Sequence, residues 1–183
     1  MMKSSKEKVH RFVSNDLTVR VAAVDATEVV RKMQELHHSL PVSTVAVGRA
    51  MVGAILMASQ LKEKQKVGLL IKGDGPLVSV YAEASYEGEV RGYSVKPSFE
   101  PSTYEGGLKI GAAIGRGTLS VARHLPFQKS PHHGTVELSS GEIGEDIAHY
   151  MLQSHQVRSI VNLGVYLDTF GKVSTTGGLI VEV

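Results

Sequence analysis

The run Thr44-Val45-Ala46-Val47-Gly48-Arg49-Ala50-Met51-Val52-Gly53-Ala54-Ile55-Leu56-Met57-Ala58 governs how the rest of this chain must be arranged. At helical spacing it is apolar on every side and carries one charge, Arg49. A helix that is apolar all round is a buried helix. Its longest uninterrupted apolar stretch, Ala50 to Ala58, falls far short of the roughly 20 residues of a membrane span. Gly48, Ala50, Gly53, Ala54 and Ala58 are small enough for neighbouring backbones to come close. Each glycine costs about 1 kcal/mol of helix propensity relative to alanine, a cost that close packing offsets. The segment predicts a core helix over about residues 43–61, covered on more than one side.

Upstream, Pro41 disfavours helix in the residue before it and marks the end of a preceding helix. Asp25 or Thr27 can cap that helix. Val29, Met33, Leu36 and Leu40 recur at i, i+4, i+7 and i+11 on one apolar face, with Arg31, Lys32, Gln34 and Glu35 elsewhere on its circumference. Before it, Asp16 to Val24 alternates Leu17, Val19 and Val21 with Thr18, Arg20 and Ala22, the period of a strand. Met1 to Phe12 is charged, with no apolar run after it, so no signal peptide is expected there.

Downstream of the charged stop Lys62-Glu63-Lys64-Gln65-Lys66 the period becomes two. Val67 to Ile71, Leu77 to Ala84 and Glu89 to Val95 read as strands separated by turn residues. Ten of the nineteen glycines lie between Gly68 and Gly117, which marks this part as tightly turned β structure. Lys96 to Gly111 and His124 to His133 read as irregular, with short strands at Thr118 to Arg123 and Thr135 to Leu138. A third helix starts near Gly141, with Ile143, Ile147, Tyr150 and Met151 on its apolar face and Glu142, Glu145 and Asp146 in its first turns. Ser159 to Leu167 and Val173 to Val183 form a closing hairpin around Asp168 to Lys172. Strands and helices are grouped rather than alternating. That predicts an α+β fold, mainly antiparallel sheets packed around the buried helix with flanking helices, in a single domain over 1–183.

Composition narrows the function classes. Of 183 residues 42% are apolar, which excludes intrinsic disorder. Twenty basic against eighteen acidic residues leave +2, no field for nucleic acid. There are no cysteines, so disulfides, thiolate zinc sites and cysteine nucleophiles are excluded within these residues. The expectation is a soluble, cytoplasmic protein without membrane or nucleic-acid partners.

The candidate chemistry is thin. Lys72-Gly73-Asp74-Gly75-Pro76 could cradle a phosphate, but no Walker pattern or helix follows and Pro76 removes a donor, so a turn is the heavier reading. Gly115-Arg116-Gly117 precedes a strand, again a turn. The adjacent pair His37-His38 diverges by about 100° on a helix and cannot chelate one ion alone. His132-His133 has no carboxylate near it in sequence, and Glu145 with His149 reads as a weak surface pair. No serine stands in a nucleophile elbow. The residues by themselves name no function.

Taken in order, the landmarks resemble the redox-regulated heat-shock chaperone of thirty-three kilodaltons, over about Asp16 to Val183, the N-terminal core domain of that family. The carriers are Asp16 with Arg20, His38-Ser39-Leu40-Pro41, Gly48-Arg49-Ala50, Leu61-Lys62 and Lys72-Gly73-Asp74-Gly75-Pro76-Leu77. Further on stand Val90-Arg91-Gly92-Tyr93, Ile114-Gly115-Arg116-Gly117-Thr118-Leu119, Gly141-Glu142-Ile143-Gly144-Glu145-Asp146, Ser154 with Gln156, and Gly177-Gly178-Leu179-Ile180. One departure is His155, where the family usually has glutamate. Another is that the family continues into a linker and a C-terminal domain whose four cysteines bind zinc when reduced and form disulfides when oxidised. This chain, ending at Val183 without cysteine, is either a fragment lacking that switch or a relative that lost it.

The resemblance implies a non-enzymatic, ATP-independent holder of unfolding proteins that buries their apolar surface against its own. It implies no cofactor in this chain, zinc belonging to the absent domain, and a homodimer that could exchange elements between protomers. The apolar residues least explained by periodicity, Phe99, Tyr104, Leu125 and Phe127, are the candidate client contacts, with loop anchoring as the alternative. A dimerisation module without holding activity and a nucleotide enzyme using the Gly73–Gly75 turn are the competing readings.

Overall fold

The computed structural model describes residues 8–103, 107–128 and 130–183. Among them run nine strands and four helices: β1 (Val9–Val13), β2 (Arg20–Asp25), α1 (Thr27–His37), α2 (Pro41–Ala58), β3 (Lys66–Gly73), β4 (Ser79–Ser85), β5 (Val90–Ser94), α3 (Ile110–Ile114), β6 (Gly117–His124), β7 (His132–Glu137), α4 (Gly144–His155), β8 (Ser159–Leu167) and β9 (Val173–Glu182). Two antiparallel sheets result, ordered β1-β2-β9-β8 and β5-β4-β3-β6-β7. The fold is α+β, as its grouped elements predict.

α2 lies between the sheets, packing on β2, β8 and β9 on one side and on β3, β4 and β5 on the other. By length and composition it could cross a membrane, yet 83% of it is buried within the protein. Its glycines answer for their cost in helix propensity through contact. A Cβ at Gly48 would stand 2.8 Å from Val165 on β8 and 2.9 Å from Val30 on α1, and one at Gly53 would overlap the terminal methyl of Ile147 on α4. Larger residues there would push both sheets and two helices outward.

Several elements differ from expectation, each for a local reason. Pro41 opens α2 rather than merely closing α1, because a proline at the first helical position lacks only an N–H that has no partner there anyway. α1 ends at His37, with His38 left-handed at φ 48°. Its buried face is Val30, Met33 and Gln34, and Leu36 is 66% exposed. Gln34 turns the helix: its Nε2 donates to Gly171 O at 2.7 Å and its Oε1 accepts the Val173 N–H at 3.0 Å, tying α1 to the β8–β9 hairpin. The cap residue is Ala26, while the Asp25 carboxylate one position earlier accepts both the N–H and the hydroxyl of Thr27. β1 occupies the stretch read as a charged terminus, and Asp16 to Thr18 form the turn that joins it to β2. α3 emerges at the end of the first irregular stretch.

Candidate functional site

Strand register places the apolar residues of the four-stranded sheet on opposite faces. Ala22, Val24 and Ile180 point to the core, so their neighbours in sequence point away from it. Phe12 pairs with Val21, Val21 with Val181 and Val181 with Ile160, one apolar row across all four strands. The next row runs His10, Ala23, Leu179 and Asn162. Among the described residues no helix covers this outer face. Phe12 is 60% exposed and Ile160 66%, and Leu179 and Tyr166 are also open to solvent.

The outer face of the five-stranded sheet is different in kind. Tyr81 donates its hydroxyl hydrogen to Glu83 at 2.9 Å, and Arg91 Nη2 reaches the other Glu83 oxygen at 3.1 Å. Burial, and then the Glu83 carboxylate, push the Tyr81 hydroxyl above its ordinary pKa, while that carboxylate's charge raises Arg91. Tyr93 stacks at a tilt on Tyr81, and the Ser120 and Thr135 hydroxyls bond across β6 and β7 at 2.9 Å. Polar pairs span one sheet, and an apolar row crosses the other.

The glycine turn at 72–76 has no free cradle. The N–H groups of Gly73, Asp74 and Gly75 donate to the carbonyls of Val78, Arg116 and Ile114 at 3.0, 2.9 and 2.9 Å, and the Asp74 carboxylate accepts the Arg116 N–H. An anion would find those donors already spent. Gly115 to Gly117 leads into β6 as a turn. His37 and His38 are exposed at the end of α1, and His132 and His133 are adjacent and exposed on β7. No group of three or more His, Cys, Asp or Glu gathers for a metal among the described residues.

The four expected client contacts scatter. Phe99 is half-buried and packs on the core, and Leu125 is half-buried on the wall of a groove between the sheets. Phe127 is 100% exposed at a left-handed φ of 71°. Tyr104 lies outside the described residues. The apolar row of the sheet went unassigned from sequence, although the alternation of Ile160, Asn162 and Gly164 with Val161, Leu163 and Val165 contains half of its signal.

Two sheets closed on a buried helix, with one outer face apolar and no convergent reactive groups among the described residues, define an α+β protein that presents surface rather than chemistry. The profile of the family described as Hsp33 protein matches residues 7–183, and the chain belongs to that family, one of chaperones rather than enzymes. It is 43% identical over 173 residues to the 33 kDa chaperonin of Desulforamulus reducens, covering 94% of this chain and 58% of that one. It is 40% identical to the 33 kDa chaperonin of Syntrophotalea carbinolica, covering 97% and 62%. The crystal structure of the 33 kDa chaperonin (heat shock protein 33 homolog) of Thermotoga maritima superimposes with a TM-score of 0.90 at 37% identity, covering 96% of this chain and 60% of that one. The chain thus spans about three-fifths of the length of these relatives.

Proposed function

We propose that this chain is the holding core of a redox-regulated chaperone. In this reading it binds unfolding proteins without ATP and keeps them from aggregating. The observation that carries it is the apolar row Phe12, Val21, Val181 and Ile160, with both ends open to solvent and a half-buried middle, on a sheet whose other face is the core. Burying about 300 Å² of apolar surface there supplies roughly 7 kcal/mol before ordering costs, enough for useful affinity without any fixed geometry in the client. Phe127 adds a fully exposed ring on the β6–β7 loop, and Phe99, Tyr104 and Leu125 complete the set of proposed client contacts. Zinc and disulfide control, as in the full-length family, would reside outside these residues, which hold no cysteine. We place the protein in the cytoplasm, as one domain over 1–183 and as a homodimer open to exchange of elements.

The test is aggregation of a denatured client diluted under reducing conditions, with and without an equimolar amount of the chain. Suppression of light scattering is the expected result, and equal rates in both samples would reject the reading. Sedimentation over a range of concentrations tests the dimer.

A further inference from the structure

A groove of about 670 Å³ opens where the two sheets part and α2 and α4 end. That volume falls in the range of ligand sites, about 300–1,000 Å³. Its walls are largely hydrocarbon, including Leu61, Val121, Leu125 and Val157, and Tyr150 forms one side. Gly134 on β7 makes room for that ring, since a Cβ there would stand 2.9 Å from it.

Three charged side chains enter this apolar space. Arg123 donates from Nη2 to Gln65 at 2.9 Å, but its Nε is buried with no acceptor. Glu182 is 3% exposed, and its Oε2 is ion-paired with Arg20 Nε at 3.4 Å. A buried polar atom without a partner costs about 1–3 kcal/mol. The Arg123 guanidinium, whose Nε has no acceptor in this largely hydrophobic groove, calls for an oxygen acceptor such as a carboxylate or a backbone carbonyl. Two guanidinium groups face one carboxylate, so the groove is cationic even with its histidines (His132, His133 and His155) neutral.

We propose that this groove binds an extended polypeptide segment of mixed apolar and acidic character, with a side-chain carboxylate received by Arg123. It gives the chain a charge-selective contact beside the unselective sheet face. This inference rests on the client-binding reading and names the class of segment preferred.

The experiment uses three acetylated nine-residue peptides, identical in their apolar residues, with Glu, Gln or Lys at the centre. Binding to the 183-residue chain is read by calorimetry. The Glu peptide is expected to bind about fivefold tighter than the Gln peptide and the Lys peptide weakest, with the ratios shrinking in high salt. In Arg123→Gln the Glu-to-Gln ratio falls towards one while the Gln peptide binds as before. Arg123→Met, which keeps the length of the side chain without its charge, serves the same purpose if Arg123→Gln fails a circular dichroism check. Equal affinity for the Glu and Gln peptides overturns the proposal, as does a ratio unchanged in the folded variants. Loss of selectivity with aggregation still suppressed would remove this groove alone, whereas unsuppressed aggregation would remove the client reading and leave the peptide ratio to be judged on its own.

Discussion

The buried carboxylate of Asp146 accepts the backbone N–H of Ile143 at 2.9 Å and holds that residue in a left-handed conformation, φ 69°. Such a φ is a genuine outlier for a β-branched residue and persists only where its surroundings enforce it. The other carboxylate oxygen accepts the N–H groups of Ser139, Ser140 and Gly141 at 2.7, 3.0 and 3.3 Å. One side chain therefore organises the whole turn between β7 and α4. Asp146→Ala strands these donors in a buried turn and is expected to cost about 3 kcal/mol or more. Asp146→Asn, which keeps the shape but turns one acceptor into a donor, should cost about 2 kcal/mol. Urea midpoints measure both, and an unshifted midpoint would contradict the role.

The approach of Gly53 to Ile147 makes a second prediction. Ile147 is fully buried, so its terminal methyl has little room to retreat. Gly53→Val should destabilise by about 2–3 kcal/mol through overpacking. Gly53→Ala recovers about 1 kcal/mol of helix propensity and should cost less. Chemical denaturation should order the three proteins glycine, alanine, valine in falling stability.

The contrast between the outer faces predicts which surface substitutions matter. Phe12→Ser with Ile160→Ser removes both ends of the apolar row and should at least halve suppression of client aggregation, with a change in Tm of only about 2–3 °C. Tyr93→Ser, on the polar sheet, should leave suppression intact. Equal loss in both proteins would show that the apolar row carries no special share of the contact.

Asp25 gives the acid limb of stability a specific contributor. Its hydrogen bonds from the Thr27 hydroxyl, and then from the Thr27 N–H, hold its carboxyl below the ordinary value of 3.8. A group lowered by folding contributes stability that is complete above its unfolded pKa and is lost as pH falls through the folded one. Asp25→Ala should therefore cost about 1 kcal/mol at pH 7, and the gap between it and the parent should close as pH falls below about 4. A gap that stays constant to pH 2 would assign the loss to packing instead.

Most secondary elements were legible because their periods are local. The β8 strand, the β9 strand to within a residue, and the apolar face Ile147, Tyr150 and Met151 of α4 all follow from spacing alone, whereas the helix begins at Gly144 rather than near Gly141 and Ile143 is buried in the turn before it. The face of α1 was not, because burial of Gln34 depends on Gly171 and Val173, more than 130 residues away in the chain. β1 was missed because a strand of five residues with one partly buried side chain has almost no hydrophobic pattern to read.

The amino-acid order by itself determined that an apolar, glycine-bearing helix must be buried, and the period-two segments around it that sheets would cover it. It also determined the landmarks of the family. Only the tertiary structure decided which half of each strand of the four-stranded sheet faces water, and so where Phe12, Val21, Val181 and Ile160 come together. Alternation tells that two faces exist. Which one the helices cover is settled by register between strands remote in sequence, and that pairing is a property of the whole core.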